Sequence, residues 1–199
     1  MNKIFKNKSP ALLVIDVQND FCSDTGVLAR SGRSVKPMQR AVGKIENFLK
    51  YWRGKDLPII FTRLIYDLEK LPKTHTERMK LKKVPGLCAP GSRGSEFYAL
   101  KPEKGEKVIE KNYYSGFYRT SLDAYLKKLK IDTLVIAGVT THVCPFLTCA
   151  DAYYRGYNMV ALKDCIGTYE AQAFVMRYLR EQFSAVVVGS GERTGELGR

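Results

Sequence analysis

The chain has 199 residues, 45% of them hydrophobic, and its 33 lysines and arginines against 20 acidic residues give a net charge of +13. This length and composition predict a single soluble domain, residues 1–199, with an ample core, and exclude a membrane helix, which needs about 18 unbroken apolar residues. The N-terminus lacks the apolar core of a secretory signal, so we expect a cytoplasmic protein.

Short apolar runs alternate with helical patterns along the chain. The predicted strands are Ala11–Ile15, Pro58–Thr62, Lys107–Glu110, Thr133–Ala137, Asn158–Leu162 and Ser184–Val188. The predicted helices are Val35–Trp52, Ser121–Leu129, Val143–Tyr154 and Glu170–Gln182. Continuous β-branched runs suit strands that are covered on both faces, and the alternation predicts a parallel sheet with helices on both sides.

Two segments interrupt this alternation. Residues 64–104 are rich in proline, glycine and charge, and we interpret them as a long insertion over the carboxyl edge of the sheet rather than a second domain. Residues 189–199 are glycine-rich and polar, so we expect a mobile tail unless a partner subunit orders it.

The positive charge is densest between Lys70 and Lys83, where six basic residues face Glu77 alone. Aromatic residues are not interleaved with these lysines, and neither zinc-finger spacing nor an RNP-type signature occurs. We interpret this stretch as a solvated basic face; attraction of anionic substrates and nucleic-acid binding are the alternatives. The five cysteines lack paired C-x-x-C spacing, which predicts reduced thiols rather than disulfides or a zinc ribbon.

One cysteine stands where a thiol can be activated. Cys144 follows the strand Thr133–Ala137 by one turn, and Pro145 is tolerated in the first turn of a helix. A helix start offers unpaired N–H groups and the positive end of a dipole, so we expect this thiol to ionise more readily than the free value of about 8.5 suggests. The alternative is a buried structural cysteine.

Two further reactive side chains follow predicted strands. Asp16 comes directly after the first strand and Lys111 directly after the third, and ligands of open parallel sheets bind outside the carboxyl ends of the strands. A carboxylate can take the thiol proton and an ammonium favours the thiolate. Neither histidine suits the role of base, because His142 shares a turn with Cys144 and His75 lies in the insertion.

Three motifs resemble the isochorismatase-like cysteine hydrolase superfamily, from about Ala11 to Val188: Asp16-Val-Gln-Asn-Asp-Phe21, Lys111 with Tyr114-Ser-Gly-Phe117, and Gly138-Val-Thr-Thr-His-Val-Cys144. The resemblance implies a doubly wound three-layer α/β/α fold with a six-stranded, mainly parallel sheet, and a homo-oligomer, a dimer or tetramer. It also implies the catalytic triad Asp16, Lys111 and Cys144 and a cis peptide bond between Val139 and Thr140.

The catalytic roles that the resemblance implies define the expected active site. The N–H groups of Thr140 and Cys144 would hold the oxyanion formed when the thiol attacks a carbonyl or carbamoyl carbon. Phe21 and Phe117 are candidates for the pocket wall, with ordinary core positions as the alternative. Two arginines could bind a substrate carboxylate bidentately, with surface roles as the alternative: Arg93 and Arg119.

The residues that follow the second predicted strand narrow the choice of subfamily. Nicotinamidases, which resemble this chain, hold a metal there with an Asp-x-His pair, and here Leu64 and Tyr66 cannot supply those ligands. A metal site rebuilt from Asp67 and His75 is the alternative.

True isochorismatases do not use the cysteine, so Cys144 favours C–N bond cleavage. We therefore expect a metal-independent amidase or ureido hydrolase without a cofactor, similar to N-carbamoylsarcosine amidases, that acts on a small molecule and not on nucleic acid or a membrane. The alternatives are a nicotinamidase or isochorismatase-type activity, a redox protein using Cys144 with Cys149, and a non-catalytic basic binding protein.

Overall fold

The fold is that of a computed structural model, which describes residues 5–81 and 86–192 and omits the side chains of residues 78–81. Part of the basic stretch, Lys82 and Lys83, and the predicted tail from residue 193 onward therefore lie outside the described residues. Within those residues, no helix combines the length and the apolar character that a bilayer-spanning segment needs.

The core of the fold is a six-stranded sheet in the order β3-β2-β1-β4-β5-β6, in which every pair of neighbouring strands is parallel. Its strands are β1 Pro10–Ile15, β2 Ile59–Leu64, β3 Lys107–Lys111, β4 Thr133–Val139, β5 Asn158–Gly167 and β6 Val186–Val188. The strand order reverses direction between β1 and β4. The parallel sheet predicted from the sequence is confirmed.

Helices cover both faces of this sheet. They are α1 Asn19–Cys22, α2 Val27–Arg30, α3 Lys36–Arg53, α4 Lys73–Leu81, α5 Leu122–Lys128, α6 Cys144–Tyr154 and α7 Gln172–Phe183. Alternate residues of β1 enter two separate cores: Leu12 and Val14 pack with α3, whereas Leu13 and Ile15 pack with α5, α6 and α7. This alternation establishes the three-layer α/β/α architecture.

The largest difference from the predicted elements is at β5. This strand continues to Gly167, five residues beyond the predicted end at Leu162, and its pairing with β4 is irregular between Ile136 and Gly138. The polar residues Lys163 and Asp164 interrupt the apolar pattern at that point, which is why the periodicity places the end of the strand too early.

The segment between β2 and β3 packs against the loop that follows β1. The Gln18 side-chain amide donates to the carbonyls of Leu64 and Ser95, each at 2.8 Å, and its oxygen accepts from the Leu64 N–H at 2.8 Å. The Tyr98 N–H donates to the Val17 carbonyl at 2.9 Å. The predicted insertion therefore helps to build the carboxyl edge of the sheet.

Close approach of β4 to β1 requires glycine at position 138. Gly138 has φ +131°, and a Cβ atom there would lie 2.1 Å from the Ile15 carbonyl oxygen. Asp16, the next residue after β1, has φ +53°, a left-handed conformation that aspartate tolerates better than most residues. Gly138 and Asp16 thus give the backbone a positive φ near the carboxyl ends of β4 and β1.

Candidate active site

The three proposed catalytic residues converge at the carboxyl edge of the sheet. Asp16 follows β1, Lys111 ends β3, and Cys144 begins α6 after β4. Because β2 lies between β3 and β1, and β1 also pairs with β4, these side chains lie at or after the ends of strands in the consecutive run β3-β2-β1-β4. They surround the switch point between β1 and β4, where open α/β sheets bind their ligands.

Asp16 and Lys111 form a fully buried ion pair. The Lys111 Nζ lies 2.6 Å from the Asp16 Oδ2, and both side chains have 0% exposure. The ammonium also donates to the carbonyls of Tyr113 at 3.0 Å and Tyr114 at 2.9 Å, while Thr62 Oγ1 donates to Asp16 Oδ1 at 2.6 Å. A buried pair of charges persists when its remaining polar atoms are satisfied in this way.

The ammonium of Lys111 stays charged across the neutral range. Burial by itself disfavours the charged form, but the interactions with Asp16 and with Cys144 outweigh it and raise the pKa of Lys111 above its ordinary 10.5. The contribution of this raised pKa to stability is therefore fully present below pH 10.5 and is lost only as the pH rises through the higher, folded-state value.

The Cys144 thiol lies near both members of the pair. It is 3% exposed, and Asp16 and Lys111 are close enough to act on its pKa. Burial raises the pKa of Cys144 well above 9.0; the nearby charge of Lys111 lowers it and that of Asp16 raises it. The expectation that the helix start would make this thiol ionise readily is wrong for the resting site, because burial is the larger effect. The resting group is a neutral thiol beside a carboxylate.

The turn between β4 and α6 presents two backbone N–H groups beside this thiol. The peptide bond between Val139 and Thr140 is cis, as the resemblance implies. The N–H groups of Thr140 and Cys144 donate to no backbone carbonyl in the turns and loops of the described chain. Their neighbours are engaged, since the Thr141 N–H donates to the Gly167 carbonyl at 3.1 Å.

The thiol opens onto a cavity of about 380 Å³, a size that suits a small molecule. Apolar side chains form much of its lining: Phe21, Leu28, Leu64, Leu87 and Val143. Polar or amphipathic residues complete it: Arg33, Tyr114, Thr140, His142, Cys144 and Tyr169. The predicted wall residue Phe21 thus lies in the lining, together with both proposed oxyanion residues.

The other predicted pocket residues lie elsewhere. Phe117 is buried between the sheet and its helices, stacks on Tyr157 with ring centroids 5.7 Å apart, and is covered by the Arg155 guanidinium. Arg93 is exposed and lines a different cavity. Arg119 is also exposed and lies over the ring of Tyr118. None of these three is among the described residues that line the cavity beside Cys144.

Sequence reasoning did not single out several of the lining residues. Arg33 lies in the loop between α2 and α3, and Tyr169 lies between β5 and α7. His142 bonds to Thr168 Oγ1 at 2.8 Å and to Glu170 at 3.1 Å. Burial lowers the pKa of His142, the charge of Arg33 lowers it further, and Glu170 opposes both. The only sequence signal for these residues was their place after a strand or a short helix.

The alternative metal site finds no support among the described residues. The Asp67 carboxylate pairs with Lys70 at 2.8 Å and accepts from the Glu69 N–H, whereas His75 Nε2 bonds to the Tyr66 hydroxyl at 2.8 Å. In the described ranges, no group of three or more histidine, cysteine or acidic side chains could hold an ion. Asp67 and His75 are thus engaged with different partners.

Comparison with known proteins matches residues 10–190 to the isochorismatase domain. Ureidoacrylate amidohydrolase RutB from Methylobacterium radiotolerans is 32% identical over 167 residues, which cover 77% of this chain. The chain spans 65% of the length of that relative, less than two thirds.

Two solved structures share the fold over nearly the whole chain. N-carbamoylsarcosine amidase from Thermoplasma acidophilum is 29% identical with a TM-score of 0.80, covering 94% of this chain and 99% of its own. Pyrazinamidase/nicotinamidase from Streptococcus mutans UA159 is 25% identical with a TM-score of 0.77, covering 90% of this chain and 100% of its own. Because the domain match extends from the first strand past the last, the chain belongs to the isochorismatase family.

Proposed function

We propose that this protein is a cysteine hydrolase that cleaves a C–N bond of a small amide, carbamoyl or ureido compound through a thioester-type intermediate. The observation that carries the proposal is the buried Asp16–Lys111 pair beside the Cys144 thiol, which lines a small-molecule cavity. We call Asp16, Lys111 and Cys144 together the base of the cavity. A thiol, a carboxylate that can accept its proton and an ammonium beside both are the parts of nucleophilic catalysis by cysteine.

The first half of the reaction forms the intermediate. Asp16 takes the thiol proton as the Cys144 sulfur attacks the carbonyl carbon, and the N–H groups of Thr140 and Cys144 stabilise the tetrahedral oxyanion. Asp16 then returns the proton to the departing nitrogen. Ammonia leaves, the C–N bond is broken, and the carbonyl carbon is bonded to sulfur.

The second half of the reaction hydrolyses the thioester and frees the enzyme for another turnover. Asp16, again a carboxylate, accepts a proton from water as the water oxygen attacks the thioester carbon. The C–S bond then breaks, and Asp16 passes that proton to the departing sulfur, which regenerates both the thiol and the carboxylate. An amide yields a carboxylate, and a ureido compound yields a carbamate. Throughout, Lys111 acts on the other two residues: its charge lowers the pKa of Cys144 and compensates the buried charge of Asp16.

Two relatives support hydrolysis of this class. A ureidoacrylate amidohydrolase and an N-carbamoylsarcosine amidase are both named for hydrolysis of carbamoyl-type compounds. A nicotinamidase activity is the second candidate, since a nicotinamidase shares the fold. The ion pair of Asp67 with Lys70 and the bond between His75 and Tyr66 favour the first candidate over the second.

We also propose that the chain, as one domain, acts in the cytoplasm as a homo-oligomer. Five free cysteines suit a reducing compartment. Exposed apolar side chains form a face on α6 and α7, and faces of this kind mark protein contacts: Leu147, Tyr153, Tyr154, Phe174 and Tyr178. Light scattering should give the mass of a dimer or tetramer, and the mass of one chain would contradict the proposal.

The decisive experiment measures ammonia release from a panel of small primary amides and ureido compounds. We expect turnover by the wild type to fall by roughly 10³-fold or more in Cys144→Ala and in Asp16→Asn. Cys149→Ala is the matched control, because Cys149 is a second buried thiol of α6 and should be dispensable for turnover.

The outcomes separate the candidate functions. Full activity in Cys144→Ala or Asp16→Asn, with circular dichroism showing a folded protein, would remove the proposed mechanism. A chelator should leave the rate unchanged. Loss of activity with chelator and its recovery with a divalent metal would favour the nicotinamidase-type reading instead.

A further inference from the structure

We propose that Arg33 binds a carboxylate of the substrate, so that the enzyme acts on small acids that carry a ureido or amide group at the other end. This inference rests on the proposed function and specifies its substrate class. The inference concerns the wall of the cavity, which we define as Leu28, Arg33, Leu87 and Tyr169. It does not concern the proposed catalytic residues at the base.

Arg33 is held in place at the cavity without help from an acidic residue. Its side chain is half-buried in the cavity lining that also includes Cys144. Its Nη1 donates to Ser31 Oγ at 2.6 Å, and its guanidinium carbon lies 5.4 Å from the centroid of the Tyr169 ring. These two contacts orient the planar group while leaving further N–H donors for a ligand.

The two other described arginines of intermediate exposure have this charge compensated by acidic side chains. Arg53 pairs with Glu103 and Glu106, and Arg63 pairs with Glu110. Among the described residues, Arg33 makes no ion pair, although it lies in the cavity wall. A guanidinium whose fork of donors is unmatched suits a bidentate carboxylate supplied from outside.

The rest of the lining fits a molecule with polar ends. Phe21, Leu28, Leu64 and Leu87 offer an apolar surface to a short hydrocarbon spacer. The reacting carbonyl would lie at Cys144 and the carboxylate at Arg33. Among the described ion pairs, Glu170 is paired with His142, whose Nε2 lies 3.1 Å from its carboxylate, and not with Arg33. A neutral amide would leave the charge of Arg33 uncompensated.

The test compares an acid with a neutral analogue of similar shape: 3-ureidopropionate with N-propylurea, and ureidoacetate as a shorter acid. In Arg33→Met we expect KM for the better acid to rise about 10- to 100-fold with a much smaller change in kcat, since charge-assisted hydrogen bonds are lost. Values for N-propylurea should stay within about twofold. Arg33→Lys should lie between wild type and Arg33→Met, because it keeps the charge and loses the fork.

The matched control is Arg40→Met, which removes the same charge from α3 at a residue that lines a different cavity. It should leave the preference for acids unchanged. If Arg33→Met weakens acid and neutral compound equally, or neither, the inference is wrong while the hydrolase proposal stands.

A binding measurement separates the two proposals. Calorimetry on Cys144→Ala should detect the better acid, and the added Arg33→Met change should weaken its binding about 10- to 100-fold. Binding that depends on Arg33 without turnover by the wild type would overturn the proposed function alone. Absence of binding by either acid would overturn the assignment of Arg33.

Discussion

The base and the wall of the cavity differ in how their side chains are held. At the base, Asp16 and Lys111 are completely buried, and each polar atom contacts a partner inside the protein. In the wall, Arg33 is half-buried and is oriented by a hydroxyl and an aromatic ring. Asp16 and Lys111 at the base therefore have their partners before a ligand binds, whereas Arg33 in the wall keeps N–H donors for the ligand.

This difference separates the reaction from the choice of substrate. Groups that move a proton must keep their geometry, and burial with full hydrogen bonding provides it. A residue that recognises a ligand must have donors left over. Changes at the base should thus impair stability and turnover together, while changes in the wall should alter KM and leave the fold intact.

The largest effect at the base is expected from Lys111→Met. This change leaves the Asp16 charge buried without its partner, and removal of one member of a buried pair costs about 3–5 kcal/mol of folding free energy. Chemical denaturation should show that loss, and ammonia release should fall with it. Lys107→Met, at the partly exposed start of the same strand, is the control and should cost far less.

A double-variant cycle tests whether the pair is the cause. The combination of Asp16→Asn with Lys111→Met should be less destabilising than the two single changes added together, because it leaves no unpaired charge. Strict additivity would show that the two residues do not act as a pair and would abolish the contrast between base and wall.

A smaller effect is expected in the reactivity of the resting thiol. Because burial raises the pKa of Cys144 above 9.0, the thiolate fraction should grow about tenfold per pH unit through the neutral range. Inactivation by iodoacetamide should accelerate accordingly between pH 7 and 9, with mass spectrometry locating the modification at Cys144. A plateau that begins below pH 8 would mean that the thiol is already ionised at rest.

The base of the cavity could be predicted from the sequence to a large extent. Apolar runs locate the strands, and residues that follow parallel strands meet at one edge of the sheet, so Asp16, Lys111 and Cys144 are recognisable candidates. The structure brings these three together. The sign of the Cys144 pKa shift was not predictable, because it depends on how deeply the helix start is buried, and a local pattern does not show that.

The wall could not be predicted in the same way. Arg33, Leu87 and Tyr169 lie in three connecting segments whose direction depends on tertiary packing, and no periodicity places them beside Cys144. The arginines chosen from the sequence carry the same functional group, but Arg93 lines a different cavity and Arg119 lies over the ring of Tyr118. Residue type alone did not distinguish them from Arg33.

The side chain of Gln18 suggests which part of the long connection between β2 and β3 can be re-engineered. It hydrogen-bonds the loop after β1 to Leu64 and to Ser95, so the second half of the connection is held against that loop. The first half contains α4, whose His75 packs against Tyr113 and Tyr114, and the carbonyls of these two tyrosines accept from the Lys111 ammonium. Loop exchange in the first half should therefore keep His75 if the surroundings of Lys111 are to stay undisturbed.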